Sequence, residues 1–250
     1  MRRLRAWALA GLGLLSGAAL AADVTVSAAA SLSNAFKELR PVFEAQNRGT
    51  RLLFNFAASD ALLAQISKGA PVDVLATADQ ETMDRAEVQK LLLPGSRFNF
   101  VSNELVLVTP AEGGAALMSG LADLARPAVK RVALGKPEGV PAGRYAKAAL
   151  ESAKLWGVVE PKAIYAIHVR QALDYVARGE VDAGFVYASD ALAQKGKVRV
   201  LFTVPTETAI RYPVAAIAGS SKASEARKFI DHLLSPAGQA VLARHGFRKP

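Results

Sequence analysis

The sequence predicts an α/β fold on two observations. Short apolar runs alternate with segments of helical periodicity, and several runs hand over to the next helical segment through turns of small residues. Val24 to Ala29 reads as a strand, and from Leu32 apolar residues recur at 35, 36, 39, 42 and 43 as one helical face. Arg51 to Phe56 is a second strand, followed by a helix marked by Leu62, Leu63 and Ile66. Val72 to Leu75 is a third, leading into helical Gln80 to Lys90. Glu104 to Val108, Arg131 to Leu134 and Asp182 to Tyr187 complete the predicted strands. The chain closes with helices over Ser224 to Leu234 and Ala237 to His245, separated by Ser235-Pro236.

At 250 residues, 51% hydrophobic and 21% charged, the chain can bury a full core, as one large domain or two lobes of roughly 100 residues each. It has no cysteine, which excludes thiolate metal sites, cysteine nucleophiles and disulfides. Arg2, Arg3 and Arg5, the apolar run Ala6 to Leu20 and the small-x-small pattern ending at Ala21 read as a signal peptide over residues 1–21. Fifteen apolar residues fall short of the ~20 that cross a bilayer. Cleavage after about Ala21 would leave 28 basic against 22 acidic side chains, +6, on an exported, periplasmic chain. The basic residues are scattered and carry no aromatic interleaving, so no nucleic-acid partner is expected.

The informative positions lie where strands give way to helices. Ala30-Ser31-Leu32-Ser33 follows the first strand and Ala57-Ala58-Ser59-Asp60 the second, with hydroxyls at expected N-cap positions. Val140-Pro141-Ala142-Gly143 and His168-Val169-Arg170-Gln171 are two further helix starts. A helix N-terminus offers unpaired N–H groups and a positive dipole end, so several converging on one cleft would cage a small oxyanion. Taken singly, Ser31 and Ser59 are better explained as helix caps.

A series of motifs in order is similar to the periplasmic molybdate-binding proteins of ABC importers. It runs from Val26-Ser27-Ala28-Ala29-Ala30-Ser31-Leu32 and Phe56-Ala57-Ala58-Ser59 through Gly69 to Val74 and Ala76-Thr77-Ala78-Asp79-Gln80. It continues through Val140 to Ala146, Val169 to Leu173, Gly184 to Ala191 and Tyr212-Pro213-Val214-Ala215. The resemblance implies a type II periplasmic-binding architecture, two α/β lobes hinged by two crossovers. Residues 22–103 would begin lobe one, 104–211 form lobe two and 212–250 return to lobe one. It implies an oxyanion, molybdate or tungstate, held by Ser31 and Ser59 from lobe one with Ala142, Val169 and Tyr187 from lobe two. Ala142 and Val169 would act through their main-chain amides. It further implies a monomer that needs no cofactor and no metal held directly by side chains, serving a membrane permease and its ATPase.

Molybdate is a fully deprotonated dianion at neutral pH, so its oxygens only accept hydrogen bonds, and a site of neutral donors suits it. Sulfate satisfies the same rule and would be separated by cavity size. Hydrogen phosphate brings a proton that needs an acceptor, and a polar mismatch costs roughly 1–3 kcal/mol. Sulfate or phosphate is therefore the alternative ligand. An exported hydrolase is more remote, since the sequence has no G-x-S-x-G, S-x-x-K, Walker or H-E-x-x-H motif. Asp60 stands where the family favours a small neutral residue; it is expected to point outward, with its replacement by glycine or serine neutral or tightening. His168 precedes a proposed amide donor and would make affinity pH-dependent if it neighboured the cleft, but it is expected behind the site or on the surface. Arg170 is expected on a solvated face or bridging a carboxylate, and Asp73, Asp79 and Asp84 are expected to be structural.

Overall fold

The computed structural model describes residues 22–112 and 118–250; the expected signal peptide lies outside them. The first part of the chain forms β1 (Ala22–Ala29), a 3-10 turn (Ala30–Leu32), α1 (Ser33–Gln46), β2 (Thr50–Ala57), α2 (Ser59–Ser67), β3 (Val74–Ala76), α3 (Gln80–Val88) and β4 (Phe98–Asn103). A second group follows: β5 (Leu105–Pro110), β6 (Val132–Gly135), α4 (Pro141–Ser152), α5 (Trp156–Val159), β7 (Ala163–Ala166), α6 (Val169–Ala177), β8 (Ala183–Tyr187), α7 (Ala188–Ala193) and β9 (Val198–Thr203). The chain ends with β10 (Ile210–Ala216), α8 (Ala223–Leu234) and α9 (Pro236–Arg244).

These strands build two five-stranded sheets with one topology, in the orders β2-β1-β3-β10-β4 and β7-β6-β8-β5-β9. In the first, β1 runs parallel to β2 and β3 while β10 is antiparallel to β3 and β4. In the second, β6 runs parallel to β7 and β8 while β5 is antiparallel to β8 and β9. The strands alternating with helices are thus the parallel ones, as βαβ connections require. Each lobe is one sheet with its helices.

The chain passes from the first sheet to the second between Asn103 and Leu105. It returns between Thr203 and Ile210, earlier than the expected Tyr212, because Ile210 and Arg211 already pair with Asn103 and Ser102 of β4.

The first core is aromatic. Phe36 and Phe43 of α1 both meet Phe229 of α8 edge-on, at centroid distances of 5.5 and 5.4 Å. Such pairs contribute ~0.5–1.5 kcal/mol each beyond the area they bury. They fasten the returning C-terminal helix to the first lobe.

Candidate functional site

In an open α/β sheet, ligands bind beyond the carboxyl ends of the parallel strands. The five positions singled out in the sequence all fall there. Ser31 follows β1, Ser59 follows β2, Ala142 follows β6, Val169 follows β7, and Tyr187 ends β8. The structure brings all five to one cavity between the lobes, with about 210 Å³ of empty space counting its mouth. None of the five is more than 4% exposed. Apart from His168, the remaining wall is small and apolar, including Ala30, Ala58 and Ala78, so backbone amides lie close behind it.

Neither serine caps its helix. The cap of α2 is Ala58, with Ser59 the first helical residue, and the cap of α1 is Leu32; neither cap makes a side-chain bond. The capping explanation therefore fails for both hydroxyls. Ser59 Oγ instead accepts the Ala78 N–H at 3.0 Å, which leaves its own proton to donate. Ser31 Oγ lies 3.0 Å from the Tyr212 hydroxyl.

Main-chain donors come from helix starts. Pro141 opens α4 and has no N–H, while the Gly143 and Arg144 amides both bond to the Val140 carbonyl, at 2.9 and 3.1 Å. The Ala142 amide is left in that first turn without an intrahelical partner. Gly143 is required for this packing, since a Cβ there would sit 2.0 Å from the Gly135 carbonyl oxygen. Val169 opens α6 after His168, whose carbonyl accepts the Gln171 and Ala172 amides and leaves the Val169 N–H free.

Tyr187 supplies the decisive group. Its side chain is buried, yet its hydroxyl has no hydrogen-bond partner in the protein. Burial pushes its phenol pKa well up, so it keeps its proton and stays a donor. A buried hydroxyl without a partner costs ~1–3 kcal/mol unless something in the cavity accepts from it. From sequence alone a tyrosine ending an apolar strand reads as core, so only the family resemblance marked it.

The family model described as bacterial extracellular solute-binding protein matches residues 24–248. The chain belongs to that family. It is 36% identical to the molybdate-binding protein ModA of Escherichia coli (strain K12) over 249 residues, covering 93% of this chain and 92% of that protein. It is 33% identical to the ModA of Haemophilus influenzae, covering 96% and 94%. The solved Azotobacter vinelandii periplasmic molybdate-binding protein superposes with a TM-score of 0.81 at 24% identity, over 91% of this chain and 99% of that one, a likeness of fold.

In this solute-binding protein Asp60 does not line the cavity. Its carboxylate accepts from Arg144 at 2.7 Å and pairs with Arg85. Arg144, on α4 of the second lobe, also pairs with Asp79 and donates to Thr82 Oγ1 at 3.1 Å. Arg144 therefore clasps two carboxylates of the first lobe across the cleft. A second arginine crosses there too. Arg170 donates to the Ser31 carbonyl at 3.1 Å while its Nε lies 2.6 Å from the fully buried Asp190 carboxylate. That carboxylate offsets the arginine's charge directly behind the wall, so the cavity is lined by neutral groups. Asp73 accepts from the Thr25 amide and Ser220, and Asp84 pairs with Arg97. The three aspartates form no common site, and no metal-binding cluster occurs among the described residues.

His168 lines the cavity, beyond what the sequence required. Its Nδ1 accepts the Gln171 N–H at 3.0 Å and caps α6, and it has no hydrogen bond to either serine. Burial lowers its pKa below the ordinary 6.5, so the ring is neutral with its proton on Nε2. The unfolded chain takes the proton first on acidification. This contribution to stability is whole above about pH 6.5 and falls as pH drops through that value toward the folded pKa. His232, also lowered by burial, adds a term of the same sign. His168→Asn keeps a good cap, so urea unfolding at about pH 7.5 should change by under ~1 kcal/mol. The further loss seen at about pH 5.5 should be smaller in the variant than in the parent.

Proposed function

We propose that this protein captures molybdate, and tungstate with it, outside the cytoplasm and delivers it to the permease and ATPase of an ABC importer. The observation that carries the reading is the partnerless Tyr187 hydroxyl, which shares one uncharged cavity with two serine hydroxyls and two helix-start residues. Ser31, Ser59, Ala142, Val169 and Tyr187 are the proposed ligand set. All are donors toward the ion, as a proton-free dianion requires. The two ModA relatives named above, similar over nearly their whole length, support molybdate as the ligand.

Donors come from both lobes, so the ion gains most from the closed arrangement and shifts the population toward it. The receptor acts as a monomer, holds no resident cofactor and carries out no reaction on its ligand. Export through residues 1–21, with cleavage after about Ala21, delivers it to the periplasm.

A thermal-melt panel with molybdate, tungstate, sulfate and phosphate tests this. Ligand at 100 times its Kd stabilises by ~2.7 kcal/mol, a shift of roughly 5–10 °C for a chain of this size. Molybdate and tungstate should raise the midpoint at the lowest concentrations and phosphate should not. Stabilisation by sulfate alone would transfer the assignment to that ion; stabilisation by none of the four would remove it.

A further inference from the structure

Tyr212, on β10, is buried, with its hydroxyl 3.0 Å from Ser31 Oγ and 3.3 Å from Asn103 Nδ2. Two hydroxyls in contact do not decide which one donates, but Asn103 decides it. The Asn103 Oδ1 accepts the Glu104 N–H at 2.9 Å, which fixes the amide so that Nδ2 faces Tyr212 and also donates to Ser189 Oγ at 2.8 Å. The Tyr212 oxygen thus accepts a hydrogen bond from Asn103 and donates one to Ser31 Oγ. The Ser31 O–H is then left for the cavity.

We infer that Tyr212, itself oriented by Asn103, is a positioning residue that locks Ser31 as a donor and so sets the cavity against oxyanions that carry a proton. The inference rests on the oxyanion-receptor reading above. Ser59 is locked by a backbone amide, Ala78 N–H, whereas the Ser31 lock is made of side chains. While one Ser31 lone pair is held by Tyr212 and the Ser31 proton is turned to the cavity, a protonated oxygen such as that of hydrogen phosphate meets a donor there. With the tyrosine proton gone, Ser31 can rotate and accept. Asn103 ends the strand before the first crossing between lobes and Tyr212 lies on the strand after the second, so both crossings contribute to this selection.

Calorimetric titration of the parent, Tyr212→Phe and Asn103→Ala with molybdate, sulfate and phosphate at about pH 7 tests it. Tyr212→Phe is expected to bind molybdate and sulfate up to about tenfold more weakly, the scale of one hydrogen bond. It should also raise the affinity for phosphate relative to sulfate by about tenfold. Asn103→Ala should move that ratio the same way, and serves alone if Tyr212→Phe does not fold. Adding Ser31→Ala should cancel the change in ratio. Weakening of sulfate and phosphate by one common factor in both variants would overturn the inference, leaving Tyr212 a packing residue. A parent that binds none of the three ions would instead overturn the receptor reading, and the inference with it.

Discussion

Replacing both Ser31 and Ser59 with alanine is expected to lower molybdate affinity by at least ~100-fold. In the proposed site each hydroxyl would donate to a dianion, and a hydrogen bond to a charged partner contributes ~1.5–3 kcal/mol, or about 10- to 150-fold in Kd. The side chains come from different strand ends of one lobe and share no partner in the protein, so their effects should approximately add. Each substitution also leaves a buried donor of the protein without its partner, the Ala78 N–H or the Tyr212 hydroxyl, so the free chain should lose ~1–3 kcal/mol per variant, which unfolding by urea reads separately from affinity. Titration calorimetry of both single variants and the double checks this. Unchanged affinity in both singles would remove the ligand set.

Arg144→Met is expected to weaken binding by a comparable factor, for a different reason. Its guanidinium faces Asp60 and Asp79, side chains only 10% and 5% exposed, from the opposite lobe. Asp60 keeps Arg85, but Asp79 is left without its guanidinium, which puts the cost at the lower end of the ~3–5 kcal/mol of a broken buried pair. That cost falls on the closed arrangement alone, since separated lobes let the aspartates hydrate. Affinity should therefore drop by ~100-fold, while the melting midpoint of the ligand-free chain moves by a few degrees at most. Asp60→Ser should weaken binding by about tenfold or less, because Asp79 still holds the arginine. A full loss of melting stability with unchanged affinity would show the clasp to be part of the folded lobes and not of their closure.

The Asp60 case shows how far sequence reading reached and where it stopped. An acidic residue at the second position of a helix beside an anion site reads as an outward-facing dipole partner, and Asp60 does avoid the cavity. Its replacement looked neutral from sequence because Arg144 lies 84 positions away, and no local pattern joins the two. The same distance hid the Tyr212–Ser31 contact, 181 positions apart. Local signals did better. The starts of α2, α4 and α6 were legible because caps, Pro141 and small residues are properties of a few neighbouring residues. β4, β7, β9 and β10 were not assigned as strands. β7 and β9 are half exposed, and β10 breaks its register between Tyr212 and Pro213, so neither alternation nor an unbroken apolar run marks them. The serines were found for a partly mistaken reason. They do stand at strand-to-helix turns, but their hydroxyls are free because alanine and leucine occupy the cap positions.

The burial of the five proposed ligand positions bears on timing as well as on strength. An ion held by residues at most 4% exposed, drawn from both lobes, is released fully only when the lobes part. Its dwell time is then the interval between openings, lengthened by every contact that crosses the cleft. Arg144 and Arg170 do not line the cavity, yet their contacts cross the cleft, so differences in Kd among their variants should appear in koff.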